Sequence, residues 1–279
     1  MVGVPADKKG YPIAIILTGV VFVLLTIWYI TALASAPSEA RWGFLVANFI
    51  FVLGVSQFGV AFSAIMRICG VKWARPYYRI AELATLAFFP LAIPGFLFIY
   101  FYGGPHLFHW LHPAEGEHLS LWLDSTFMLY RNVLGQLLFY LIALWYFMMG
   151  LLPDVTAEDA ERGPGWRRGL YRWLLNLKGR WGEAALQRGA YYYSPIVLIV
   201  AVVAQTFISW DLGMMLVPHY HSSVYSMLFI VGNMFAGTAC MLFLAVLLSR
   251  TMNMGDFFNT VHVHYMSIML TGFTLLWLY

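Results

Sequence analysis

The chain has 279 residues, of which 61% are hydrophobic, 18% aromatic and only 10% charged, with a formal net charge of +3. Together with a mean hydropathy of +0.74, these proportions exclude an ordinary soluble globular domain and define an integral membrane protein. So small a positive charge is no signature of nucleic-acid binding; its distribution between apolar runs reports orientation instead. Cys69 and Cys240 form no C-x-x-C pair, and two distant thiolates are too few for an iron–sulfur cluster or a zinc site.

Lys8 and Lys9 precede an uncharged run over 11–36, long enough to cross ~30 Å of hydrocarbon at about 1.5 Å per residue. The run exceeds the ~7–15 apolar residues of a signal peptide, so a retained span is expected in preference to cleavage near Ala32-Leu33-Ala34. Uncharged runs follow over 43–66, 83–102, 132–152, 189–210, 222–249 and 261–279. Each is near or above the roughly 18 residues a spanning helix needs. The expected fold is therefore an all-α membrane protein of about seven transmembrane helices. Pro90 and Pro94 should bend the third, because each removes a backbone donor and crowds the preceding turn.

Arg67, Lys72, Arg75 and Arg79 lie between the second and third spans, and 153–188 holds seven basic against five acidic residues. The segment 103–130 instead carries Glu115, Glu117 and Asp124 with no Lys or Arg. The positive-inside rule then predicts a cytoplasmic N-terminus, with 67–79 and 153–188 on the same side. The segments 103–130 and 211–222 are predicted to face outward. Within the cytoplasmic segment, WRRGLYRWLLNLK at 166–178 interleaves arginines with Trp and Leu, the pattern of an amphipathic helix on a membrane surface.

A shift of 183 residues lays Arg67 on Arg250 and the second span on the sixth, which suggests a parallel helical repeat. The organisation read from this is an N-terminal helix within 1–40 and a first four-helix bundle, spans two to five, within 41–211. The start of a second bundle, spans six and seven, falls within 212–279. That second unit is expected to be completed by helices after Tyr279 or by another chain.

Polar groups in or beside apolar runs are the candidates for chemistry, since a bilayer penalises them. The segment 209–229, SWDLGMMLVPHYHSSVYSMLF, sets Asp211, His219 and His221 between two spans; a histidine beside a carboxylate can take a proton from a quinol and pass it on. On the same predicted face are His106, His109 and His112, three residues apart, with His118, Asp124 and Arg131. On the opposite face lie His262, His264, and Arg79 with Glu82 at the i,i+3 spacing of an ion pair. Gln57, Asn132, Gln136, Gln205, Thr206, Ser209, Asn233 and Thr238 fall inside spans, where they either bond between helices or line part of a proton path. A b-haem anchor would need histidines deep in helices, whereas these sit at span ends. A transporter would need broken helices and a midplane ionisable group, for which only Pro90 and Pro94 speak.

Four segments carry a family resemblance. YGGPHLFHWLHP at 102–113 resembles the G-R-P-W…Y-W-x-x-P segment of NrfD/PsrC-type membrane subunits. GLLPDVTAEDAER at 150–162 is similar to the G-L-x-P-D…R-D segment of alternative complex III members. Asp211, Met214, Met215, Leu216, Pro218, His219, Ser222 and Ser223 resemble the D-W-x-M-S-L-x-P-H-W-x-S-T segment of the ActF type, and His262-Val263-His264 resembles its H-x-H-D-L-G-K-L-L segment. Phe101 stands where the pattern often has histidine and Gly104 where it has arginine, departures that favour an ActF-like role over quinol binding in the first bundle.

The resemblance implies a cofactor-free helical subunit of a quinol-oxidising electron-transfer complex in a bacterial cytoplasmic membrane, inactive alone. It implies menaquinol or ubiquinol as substrate, and iron–sulfur clusters and haem held by partners: an iron–sulfur subunit, cytochrome c-type subunits and a homologous membrane subunit. Asp211, His219, Glu82 and His264 are the candidate proton-transfer groups. His106, His109, Asp124 and Arg131 are the candidate quinol contacts. A non-redox scaffold and a b-haem anchor are the alternatives.

Overall fold

A computed structural model describes residues 11–35, 37–111, 120–161, 165–217, 220–251 and 258–279. Among these residues there are helices and turns and no strand. The helices are α1 (Tyr11–Ala34), α2 (Ser38–Ile68), α3 (Arg75–Phe98), α4 (Gly104–Leu107), α5 (Ser125–Leu151), α6 (Ala157–Glu161), α7 (Gly165–Trp181), α8 (Glu183–Leu212), α9 (Tyr225–Thr251) and α10 (Thr260–Leu278). Among the described residues, six stretches of helix are long and apolar enough to cross a membrane, built on α2, α3, α5, α8, α9 and α10. The other expected span is α1, a helix of 24 residues whose described residues include the shorter apolar stretch Val23–Ala32.

Several helices outrun the uncharged runs that announced them. α2 starts at Ser38, α3 at Arg75 and α8 at Glu183, because charge is tolerated where a helix leaves hydrocarbon and the backbone ladder need not stop there. α2 suits this: Glu39 lies in its first turn and Arg67 in its last, each opposite the matching end of the helix dipole.

α2, α3, α5 and α8 form a four-helix bundle, with α2 against α3 and α8, and α5 against α8 and α3. α9 packs on α2 and α8, and α10 packs mainly on α9. Burial ranks the helices: 61% of the apolar window of α2 is buried, against 6% for α10. α2 is accordingly the central element, buried almost continuously from Leu53 to Ala64. Leucine, phenylalanine and valine left exposed on α1, α5, α8 and α10 are the lipid-facing sides such an assembly requires.

The tightest crossing joins α2 to α3. A Cβ on Gly59 would overlap the Ala81 carbonyl oxygen and crowd Thr85 Oγ1 at 2.8 Å, so only glycine permits this approach. Thr85 uses the gap: its hydroxyl accepts from Val60 N–H at 2.9 Å and donates to the Ser56 carbonyl at 2.5 Å. One side chain of α3 thereby bridges a rung of the α2 ladder.

α3 contains Pro90 and Pro94 and continues through a π-helical turn, Ile99–Gly103, into α4. The prolines supply no N–H to the carbonyls of Leu86 and Pro90, and the wider turn that follows delivers Tyr100, whose hydroxyl donates to the Ser125 carbonyl at 3.0 Å. At the other end of the bundle, α7 lays Leu174 into a small core with Met149, Leu152, Val155, Leu186 and Ala190, while Leu170, Trp173 and Trp181 stay exposed. Lys178 Nζ donates to the carbonyls of Pro153 at 2.8 Å and Val155 at 3.0 Å. The segment read as amphipathic is therefore a helix anchored on one face by Leu174 and Lys178, with Arg168, Arg172 and Arg180 exposed beside Leu170, Trp173 and Trp181 on the other.

Gly59→Val should destabilise the chain by about 1–3 kcal/mol through overpacking at α2–α3, read as a lowered unfolding midpoint in detergent. An unchanged midpoint would mean that α2 and α3 do not meet at Gly59.

Candidate functional site

Two clusters of buried charge occupy opposite ends of the four-helix bundle. From Arg131 to Gly150, α5 climbs about 28 Å at about 1.5 Å per residue, close to the thickness of the hydrocarbon layer.

The first cluster is centred on Asp211, in the last turn of α8 and wholly buried. Arg131, in the second turn of α5, grips it with both nitrogens of the guanidinium fork: Nε donates to Oδ2 at 2.8 Å and Nη2 donates to Oδ1. Asn132 Nδ2 donates to Oδ2, and Trp122 Nε1 donates to Oδ1 at 3.1 Å. Arg131 Nη1 donates to the Trp122 carbonyl at 2.8 Å, and its guanidinium lies 4.0 Å above the Trp122 ring and 4.9 Å from that of Phe127. Each oxygen of the carboxylate takes two donors, so its lone pairs are committed. Bidentate, charge-assisted bonds of this kind fix geometry strongly, and this set ties the start of α5 to the end of α8.

The second cluster is centred on Glu82 of α3, also wholly buried. Arg67 Nη2 donates to Oε1 at 2.7 Å and Arg79 Nη1 donates to Oε2 at 2.9 Å. Arg79 Nη2 also donates to Asp154 at 2.7 Å and to the Gly150 carbonyl. Arg67 lies 4.8 Å from the Tyr78 ring and 5.2 Å from that of Tyr146. Gly150 makes room, since a Cβ there would fall 2.8 Å from Arg67 Nη2 and 3.0 Å from Arg79 Nη1. The expected Arg79–Glu82 pair exists, enlarged by Arg67 and Asp154 into a knot holding α2, α3 and α5.

Between the clusters, the inward face of α5 carries Asn132, Gln136, Tyr140 and Tyr146, all buried. Gln57 Nε2 donates to Gln136 Oε1 at 2.5 Å. The Tyr146 hydroxyl lies 3.3 Å from Ser63 Oγ and 3.4 Å from Ser194 Oγ. The Tyr140 hydroxyl and Gln57 Oε1 are buried without a hydrogen-bond partner among the described residues. Toward α9, Asn233 Nδ2 donates to Gln205 Oε1 at 3.3 Å, and Ser209 bonds Ser226 at 2.9 Å.

The sequence-predicted residues divide among these places. Asp211 and Arg131, expected in different roles, form one ion pair. Asp124 is exposed and caps α5, its Oδ1 accepting from Phe127 N–H at 2.6 Å. His106 is exposed and stacks on Trp42, with ring centres 6.3 Å apart. It lines a mostly apolar cavity of about 530 Å³ with Arg41, Trp42, Leu45 and Phe98. His109 is exposed in the turn after α4. His264 is exposed beside Tyr265, and no bond joins it to Glu82 among the described residues. His262 completes a capping box with Asn259 at the start of α10. His112, His118 and His219 lie outside the described residues. Trp122, Tyr140, Tyr146, Ser63 and Ser194 were not singled out from sequence. The signal for the two tyrosines was present, since they share an α5 face with Asn132 and Gln136.

Among the described residues, no three His, Cys, Asp or Glu side chains gather as a metal site. The fold and the paired buried charges define a multi-pass, all-helical membrane protein. Comparison with protein-family models and with curated proteins finds no match.

Arg131→Met should destabilise the chain by about 3–5 kcal/mol by leaving the Asp211 charge unpaired, whereas Arg131→Met with Asp211→Leu should recover most of that loss. Unfolding midpoints of the purified variants check this; a double variant no better than the single one would show that the pair is not what holds α5 to α8.

Proposed function

We propose that this chain is an integral membrane subunit of a quinol-oxidising electron-transfer complex of the NrfD/PsrC type, nearest the ActF and ActC subunits of alternative complex III. It works beside an iron–sulfur subunit, cytochrome c-type subunits and a homologous membrane subunit in a bacterial cytoplasmic membrane, and its part is transmembrane proton transfer with quinol contact at one rim. The observation that carries the reading is the line of buried hydroxyl and amide groups between two ionic clusters in one bundle. Polar side chains facing the inside of a membrane bundle are costly, and proton relays are one of the uses that retain them.

Glu82, bonded to Arg67 and Arg79, marks the basic end of the line, and Tyr146 with Ser63 and Ser194 forms the next step. Gln57, Gln136 and Tyr140 follow toward Asn132 and Asp211. Hydroxyl and amide groups of this kind both give and accept hydrogen bonds, so internal waters between them complete a relay. Asp211 holds the far end by fixing Asn132 and Arg131 rather than by taking up a proton itself, since four donors surround it. Of the candidate quinol contacts, His106 has the supporting geometry: an apolar cavity and an aromatic neighbour. A ring of quinol size stacks on such a surface and gives its proton to histidine.

In the assembled complex in sealed vesicles, Tyr146→Phe retains the ring beside Arg67 and removes the hydroxyl. It should slow proton movement on the order of tenfold, the effect of losing one strong hydrogen-bonding group, while quinol-dependent acceptor reduction is largely kept. A pH-sensitive dye and an acceptor assay read the two rates; proton movement at the wild-type rate would rule the line out as the path. His106→Leu should raise the quinol KM without abolishing proton movement, and an unchanged KM would remove quinol from that rim.

A further inference from the structure

The bundle end that holds Glu82 also opens into a cavity of about 480 Å³, lined by Arg67, Arg75, Tyr78 and Arg79 and, on its apolar side, by Met149 and Ala190. Its charges do not cancel. Arg67 and Arg79 share the Glu82 carboxylate, and Arg79 also takes Asp154. Arg75 remains: its side chain is exposed into the cleft with no ion pair among the described residues. Three guanidinium groups thus face two carboxylates, leaving one positive charge. Arg67 Nε is buried without a hydrogen-bond partner among the described residues, a second sign that the donors here outnumber the acceptors around them.

The position narrows what the charge is for. Arg67 is in the last turn of α2, Arg75 begins α3, and Gly150 ends the apolar part of α5. All three stand at the ends of apolar helices, where a spanning helix meets the headgroup region. α7 lies alongside, with Trp173 and Trp181 exposed and Lys178 bonded to the Pro153 carbonyl. Met149 and Ala190 give the cleft an apolar wall, so a ligand with a charged head and an apolar tail meets both surfaces. Guanidinium groups match phosphate oxygens in geometry and charge, and basic pockets between helix ends on one leaflet are where anionic headgroups dock.

We propose that this cleft binds the phosphate of an anionic phospholipid, with Arg75 as the principal contact and Arg67 and Arg79 held behind it by Glu82. The site is separate from the His106 rim and adjoins the Glu82 end of the polar line. Its occupant ties the ends of α2, α3 and α5 to the leaflet.

The full chain, purified from nanodiscs of phosphatidylcholine with a minor share of phosphatidylglycerol, provides the test. Native mass spectrometry should show phosphatidylglycerol retained in preference to phosphatidylcholine. Arg75→Gln should lower that retention about fivefold, the effect of one arginine near an anionic headgroup, and Lys72→Gln, exposed and outside the cleft, should leave it unchanged. Repeating the measurement with millimolar inorganic phosphate separates the two sources of this chemistry. Retention that survives phosphate supports the lipid, whereas displacement by phosphate makes the occupant a soluble phosphate anion. Equal retention by wild type and Arg75→Gln, or no preference over phosphatidylcholine, would overturn the proposal.

Discussion

A charge withdrawn from water into a helical bundle has to be matched by groups that are already in place, because the surrounding hydrocarbon offers none. Both ends of the α2–α3–α5–α8 bundle are organised by this constraint. At one end Asp211 collects four donors from α5 and the turn before it. At the other, Glu82 collects two arginines, one from α2 and one from its own helix. Each carboxylate therefore dictates which helix ends meet, a specificity that apolar contact between lipid-like surfaces does not supply.

Between these two knots, small residues and hydroxyls set the spacing. Gly59 lets α3 approach the backbone of α2, and Gly150 lets two guanidinium groups lie against the end of α5. Tyr146 connects the regimes, since its ring receives Arg67 while its hydroxyl meets Ser63 and Ser194. The polar line along α5 is consequently continuous in sequence spacing with the knots at both its ends.

The helices were legible because long apolar runs have few other uses, and the Arg79–Glu82 pair was legible because i,i+3 neighbours share a helical face. What joins Arg131 to Asp211 was not legible: 80 positions separate them, and no local periodicity encodes which two helix ends will meet. The same limit explains why Asp211 was read as the start of an outward loop when it closes α8 inside the protein. Likewise Arg131 precedes the uncharged run 132–152, yet it lies within α5, its charge matched by Asp211. Tyr140 and Tyr146 were hidden differently, as aromatic residues are common in any membrane helix and only their register with Asn132 and Gln136 sets them apart. The histidines invited the opposite error. A histidine is costly inside a bilayer, but His109 and His264 are exposed, and His262 has a capping role.

Thr85 has a consequence for how the bundle assembles. A transmembrane helix ordinarily completes its own backbone hydrogen bonds on insertion and associates with others afterwards. At Ser56 and Val60 those backbone groups are shared with a hydroxyl from α3, so the middle of α2 reaches its final bonding only in company. Association here engages the main chain as well as the side chains, and it does so on the helix of the bundle with the largest buried share.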